Sequence, residues 1–301
     1  MTIEYKTHLG YLQIASAALI WGTYGLFVRA LDYSPEYILF FRFLFGLIGL
    51  LIVTSVKNGF STLKLSLSHW KWMLVPAFLT GTSWLCYTYA INFTSVASAA
   101  FLIYTAPVFT VIFAPLILKE KLEARTVVAL IISLLGTASI MGYGSLFGAG
   151  SHLAGDMIAL LGGISYGLLA LFIKKAPTSI LGMPSNIIVS GYIALALLPF
   201  IITSSTQFSW KGILILLTLG LFQQTFGATL FHLGLRTVKA QHASILTYVE
   251  PLAATMMAAL FLHEAITPGS LLGGILIISG GMIIVFRYNS SQLVKRTNPG
   301  K

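Results

Sequence analysis

Glu250 is the acid with no neighbour of its kind. Of eight acidic residues, Glu4, Asp32, Glu36, Glu120, Glu123, Asp156 and Glu264 fall in tails, connections or the ends of apolar runs. Glu250 falls nine residues into an apolar run over 241–262, roughly 14 Å in at 1.5 Å per residue. A carboxyl held away from water can take up and release a proton or bind an amine, and an acid at that depth is a functional candidate by default. It could equally be satisfied by a neighbouring helix and serve packing alone. Ala243, Thr247 and Ala254 share its face at helical spacing, a narrow stripe that permits close approach.

The matching cation is Arg42, six residues into a run over 36–56. It is a candidate for binding a substrate carboxylate or pairing with an acid. A side chain of that length at about 9 Å of depth also reaches the headgroups. Pro107 and Pro251 lie inside runs, each removing one amide donor and freeing the carbonyl four residues earlier, at Ile103 and Thr247. They are candidates for hinges or for the wall of a cavity, against static kinks.

Several aromatic and polar residues could line such a cavity: Trp21 and Tyr24; Thr80, Trp84 and Tyr87 at i, i+4, i+7, with Ser83 adjacent; Tyr104 and Tyr248; Gln223, Gln224 and Thr247. Trp and Tyr combine an apolar body with a hydrogen-bonding tip, which suits a partly apolar metabolite. Trp70, Trp72 and Trp210 are placed as interfacial belt residues. Thr229 can bond its own helix, and His232 reads as polarity near a helix end. No Cys/His cluster, HExxH or phosphate loop occurs, so no metal and no cofactor is expected. Cys86 is the single cysteine and allows no intrachain disulfide.

These residues need a scaffold, and composition sets its solvent. Of 301 residues, 57% are hydrophobic and 9% charged, with mean hydropathy +0.89. Soluble domains carry about 25% charged residues, so the chain is read as an all-α integral membrane protein in contact with a lipid bilayer. A crossing takes about 20 apolar residues. Ten runs meet that need: 11–28, 36–56, 72–92, 97–118, 125–143, 155–173, 185–204, 212–234, 241–262 and 268–286. The break near Asn92–Val96 is the least marked, and merging across it leaves nine. The first run, with Trp21, Thr23 and Tyr24 inside it, does not read as a cleavable signal peptide.

The net charge of +10 follows from loops and not from a nucleic-acid surface, since the basic residues come singly or in pairs. With ten crossings, fifteen of the eighteen Lys and Arg residues fall on the side of both termini. Arg29 and Lys211 fall on the other, and Arg42 lies within a helix. A missed helix would scramble that split, so both termini are expected in the cytoplasm.

The chain also repeats. A shift of 144 residues lays 97–122 on 241–266 with eight of 26 positions identical, Tyr104/Tyr248, Pro107/Pro251 and Glu120/Glu264 among them. A shift of 145 lays Trp21-Gly22 on Tyr166-Gly167. Five helices per copy is an odd number, so the second copy must enter from the opposite face. The expected organisation is a first five-helix repeat over 10–143, an inverted second repeat over 155–287 and a cytoplasmic tail over 288–301. Inverted repeats are associated with secondary transporters, whose halves exchange conformations around a shared site.

Length, helix count and paired halves resemble the drug/metabolite transporter superfamily, specifically its EamA-type members. The resemblance covers about 10–287. It rests on Trp21-Gly22, Phe41-Arg42-Phe43, Pro107 with Glu120-Lys121-Leu122, and Tyr248-Val249-Glu250-Pro251 with Glu264-Ala265-Ile266. It implies a plasma-membrane secondary carrier, often an exporter of amino acids or related metabolites, and no enzyme. The first half has Ala106 where the second has Glu250, so any role of the acid is not shared between halves.

Rival classes have less support. An intramembrane enzyme needs a second deep acid or a nucleophile with its base, and His232 has no such partner in the sequence. A channel or facilitated-diffusion pore needs a filter, and no ring of like residues is visible. A small-molecule substrate, a membrane and possible use of protons are the expected partners. The substituted carrier Glu250→Gln should fold yet lose proton-driven uptake; undiminished transport across a pH gradient would contradict the coupling role.

Overall fold

The computed structural model describes residues 3–28, 30–57, 60–90, 93–94, 96–142, 153–202, 209–263 and 265–297. Arg29, Asn92, Glu264, the Gly-rich stretch 143–152 and the end of the tail, 298–301, lie outside the described residues.

Among the described residues the structure is helical, and nine helices are long and apolar enough to cross a membrane. In chain order these are α1 (Lys6–Val28), α2 (Pro35–Val56), α4 (Ser98–Leu118), α5 (Ala124–Met141), α6 (Leu153–Lys175), α7 (Met183–Ile202), α8 (Trp210–Gly234), α9 (Ala240–Phe261) and α10 (Pro268–Val285). Between α2 and α4 runs a further helix, α3 (Leu74–Ala90), of 17 residues, about 26 Å of rise. That is the short end of what spans hydrocarbon. A nine-residue helix, Phe60–Ser68, lies in the connection before it. The expected 3/4 break is therefore real, since α3 ends at Ala90 and helix resumes at Val96. The helix of α10 continues to Thr297, through most of the expected tail. Outward faces carry Leu195, Phe200, Leu260, Phe261, Leu272 and Ile275 well exposed, as a lipid-facing surface requires. Trp70, Trp72 and Trp210 are exposed as well.

Several helices are interrupted, and at corresponding places. α4 consists of Val96–Ile103 and Ala106–Leu118 with a turn at Tyr104-Thr105. α9 consists of Ala240–Leu246 and Val249–Leu262 with a turn at Thr247-Tyr248. The sequence places Pro107 and Pro251 as bends in continuous helices; each instead stands in the first turn of a restarted helix. There its missing amide removes a donor that would be unpaired anyway. The carbonyl expected to be free at Thr247 accepts from the Glu250 amide at 2.9 Å. Both restarted helices end on left-handed residues, Lys119 at φ 56° and His263 at φ 55°.

The halves interlock through glycines. A Cβ on Gly22 of α1 would stand 2.6 Å from the Glu250 carbonyl oxygen, and one on Gly167 of α6 would stand 2.4 Å from that of Ala106. Shifted by the repeat offset, these are one contact made twice. So are Gly10 against Thr237 and Val238, and Gly155 against Phe93 and Thr94. Thus α1 packs on α8 and α9 of the other half, while α6 packs on α3 and α4. α5 and α10 form a separate pair, with Gly136 and Gly273 each facing the other's carbonyl.

Small residues permit this approach, and the fit is tight enough to test. Gly273→Ala brings a Cβ to 2.4 Å from backbone at Gly136, an overpacking worth about 1–3 kcal/mol. Gly25→Ala meets nothing within 4 Å. Thermal unfolding in detergent should show a clearly lowered midpoint for the first and an unchanged one for the second. Equal midpoints would contradict the packing.

Candidate functional site

The interruptions open onto a cavity. It is lined by Trp21, Gly22, Tyr24 and Gly25 from α1 and by Ser83, Trp84 and Tyr87 from α3. Ile103 and Tyr104 at the α4 break, Tyr166 of α6, and Glu250 and Ala254 of α9 complete it. Its volume is about 120 Å³. Glu250 is buried at the start of the restarted helix. The Tyr166 hydroxyl donates to Glu250 Oε2 at 3.4 Å, and Tyr104 lines the same chamber. Thr247, one turn before Glu250, donates its hydroxyl to the Ser244 carbonyl at 2.7 Å. The cavity therefore offers one carboxyl set among tyrosines and tryptophans, able to take a proton or an amine.

A second, smaller chamber of about 40 Å³ shares Trp21, Trp84 and Tyr166 with the first. Arg42, Thr80, Gln224 and His232 add its polar lining, with Leu169, Ile173 and Val189 among its apolar walls. Arg42 does not reach toward headgroups. It is 1% exposed, with its guanidinium 4.1 Å from the Trp84 ring centroid and 5.0 Å from that of Tyr24.

The expected residues thus divide. Trp21, Tyr24, Trp84, Tyr87, Tyr104 and Glu250 come together around the first chamber; Thr80, Gln224 and Arg42 lie on the second. Gln223 faces elsewhere, its side-chain amide donating to Thr23 Oγ1 at 2.9 Å and so fastening α8 to α1. Tyr248 is fully buried in the apolar core and lines neither chamber. The Thr80 hydroxyl is committed to the Pro76 carbonyl at 2.7 Å. The residue missed is Tyr166, although the 145-residue shift aligns it with Trp21. His232, read as interface polarity, is buried and bonds Ser185 Oγ through Nδ1 at 2.7 Å.

Gln224 owes its place to a widened turn. Helix α8 is π-helical over Leu219–Gly227, a form common at functional positions. There Thr225 Oγ1 donates to the Gly46 carbonyl of α2 at 2.9 Å. Gln224 Nε2 donates to Asn186 Oδ1 at 2.8 Å and Ser190 Oγ at 3.1 Å on α7. Asn186 returns a bond to the Gln224 carbonyl at 2.8 Å and reaches Thr229 at 3.0 Å.

The bundle end that carries the 119–123 and 235–239 connections is held together by charge. Glu120 accepts from the Ala240 amide at 3.0 Å and pairs with Lys174 at 3.3 Å. Glu123 pairs with Lys239 and Arg125. Lys174 also donates to the Val238 carbonyl, and Gln241 Nε2 to that of Lys121 at 3.1 Å. Next to them Tyr11 Oη and His242 Nδ1 are 2.8 Å apart. Both halves contribute, so the ties cross the interface between them.

An all-helical bundle with broken helices around a shared, partly apolar cavity defines a polytopic membrane transporter class. The chain belongs to the EamA-like transporter family, whose model matches residues 8–142 and again 153–286. An uncharacterized transporter of Archaeoglobus fulgidus is 29% identical over 276 residues, covering 91% of this chain and 95% of its own. One of Clostridium kluyveri is 29% identical over 296 residues, covering 94% of each. The uncharacterized inner membrane transporter YicL of Salmonella typhimurium is 26% identical, over 93% of this chain and 96% of its own. A protein of known crystal structure shares the fold at TM-score 0.79, with 16% identity over 96% of this chain and 98% of that one.

The seal has a pH signature. Burial pushes the Glu123 carboxyl up, but Lys239 and Arg125 outweigh it and hold it down, from 4.5 to about 2. A carboxyl depressed in the folded state stabilises above its unfolded value, and that contribution is lost as pH falls through about 2. Acidification from pH 8 to 5 should therefore leave this tie intact. Cys86→Ser with Thr80→Cys provides a reporter for an impermeant maleimide. Labelling from the tied end at pH 7 should be several-fold faster in Glu123→Gln than in its Glu123 parent. The parent's rate, divided by that of the unfolded chain at the same pH to remove the thiol's own loss of reactivity in acid, should be the same at pH 8 and pH 5. A normalised rate that rises in acid would contradict the assignment.

Proposed function

We propose that this membrane transporter is a secondary carrier that works by alternating access around the Glu250 cavity. The observation that carries the reading is the placement of the one deep acid at a helix break on the cavity wall. Broken helices at membrane depth are tolerated where they line protein or a wet cavity, and their freed ends are usual at transporter binding sites. The repeat supplies the motion. Two oppositely inserted halves of 10–143 and 155–287 exchange conformations, one arrangement opening the cavity at each end. In the conformation described, the charged ties close the end bearing the 119–123 connection.

The charge distribution supports a cytoplasmic position for that end and for both termini, and the family supports a cell-membrane location. The substrate is a small metabolite such as an amino acid or a related compound, and the direction is export. Glu250 couples its movement to protons: the carboxyl exchanges a proton for the substrate's cationic group. The ties across the halves support a carrier over a channel-like pore, since they hold one end shut while the cavity is formed. One acid and no assembled nucleophile line the cavity, which supports transport over catalysis.

Testing begins with a thermal-shift screen of amino acids, amines, sugars and nucleosides, since a ligand of the folded state raises apparent stability. In proteoliposomes a pH gradient should drive accumulation of the ligand found, saturably and with exchange of labelled for unlabelled substrate. Glu250→Gln should abolish the gradient-driven component by at least tenfold while unfolding at an unchanged temperature. Full pH-driven accumulation by that variant would overturn the coupling role.

A further inference from the structure

Arg42 is packed among aromatic rings, while two of its N–H donors are unmet. The guanidinium lies 4.1 Å from the Trp84 ring centroid, 5.0 Å from Tyr24 and 5.8 Å from Phe43. Tyr24 and Trp84 themselves pack at 4.6 Å with planes at 59°. Aromatic rings stabilise a cation through its face. They do nothing for the N–H donors, which lie in the plane of the group. Nε and Nη1 are buried without a partner. A buried donor without an acceptor is costly, and more so on a charged group.

Arg42 lines the second chamber, whose other polar residues are Thr80, Tyr166, Gln224 and His232. Thr80 and Gln224 spend donors on their own helix or on α7. The site therefore keeps in-plane donors of a cation that have no hydrogen-bond partner. Its volume of about 40 Å³ matches a group of a few heavy atoms. The chamber shares Trp21, Trp84 and Tyr166 with the Glu250 cavity, so the two chambers adjoin.

We propose that Arg42 and the second chamber form the subsite for a substrate carboxylate. The substrate is then a compound bearing both a carboxylate, taken by Arg42, and a cationic group, taken on the Glu250 side. This rests on the carrier reading of the Glu250 cavity and narrows it. Arg42 fixes which compounds bind, whereas Glu250 fixes whether a proton moves. Charge-assisted hydrogen bonds are worth about 1.5–3 kcal/mol, or on the order of ten- to a hundredfold in affinity.

The test is equilibrium binding to the purified full chain, by calorimetry, of the common α-amino acids paired with their carboxamides. The two members of each pair share the side chain and the amine and differ in the carboxylate. At least one acid should bind ten- to a hundredfold more tightly than its amide. Arg42→Gln should erase that preference, and Arg42→Lys should restore part of it. Glu250→Gln should keep the preference while losing pH-driven flux, so failure of the coupling role and failure of this subsite read out separately. If no acid in the panel outbinds its amide, or if Arg42→Gln retains the preference, the proposal is wrong. If Arg42→Gln does not fold, the acid-to-amide ratio of the unsubstituted protein and the Lys variant decides. A chloride titration separates the remaining anion source: preference in the unsubstituted protein abolished by chloride at millimolar level would mark an inorganic-anion site and overturn the substrate assignment.

Discussion

Hydrocarbon offers no hydrogen bonds, and the whole arrangement answers to that. A helix may break at membrane depth only where protein or a cavity receives the freed groups. Here α4 and α9 break at matching places, and each break is covered by a glycine of the opposite half. Gly22 lies on the Glu250 carbonyl and Gly167 on that of Ala106. A side chain at either glycine would push the covering helix away and uncover the break. The cavity, the interrupted helices and the small residues are thus one solution to a single constraint.

Within that shared frame the side chains differ, and the differences locate the chemistry. Glu250 has Ala106 as its counterpart. Tyr104 faces the acid, whereas its counterpart Tyr248 is sunk in the apolar core. Trp21 and Tyr166 are counterparts that both line the two chambers. The backbone of the fold is duplicated while the polar equipment is divided between an acid at one chamber and a cation at the other.

Much of this was legible in the residue pattern. Apolar runs marked the helices, because membrane thickness fixes their length; among the described residues nine are long and apolar enough to cross, and α3, at 17 residues, falls short of that measure. Glu250, Trp84 and Tyr104 stood out because polar and aromatic side chains at depth need a reason. What was illegible depends on more than one chain segment. Pro107 and Pro251 mark a break, but whether the helix bends or restarts is decided by what packs over it. The depth of Arg42 permits reaching for headgroups, and only the aromatic shelf of Tyr24 and Trp84 turns it inward. Tyr248 and Gln223 share spacing with the cavity residues but point into contacts that no single-helix pattern records. The π-helical turn at Leu219–Gly227 is likewise set by α2 and α7 against α8.

Transport by this scheme requires Glu250 to be a buried, exchangeable carboxyl at the wall of the cavity. Labelling of the purified protein with a hydrophobic carbodiimide, followed by peptide mass mapping, addresses that requirement and needs no identified substrate. Such reagents partition into apolar surroundings and react there with protonated carboxyls. Modification is expected at Glu250 ahead of the other seven acids, slowed by any ligand that raises the unfolding temperature. Modification confined to the other acids, with Glu250 unreactive at every pH at which the protein stays folded, would contradict it.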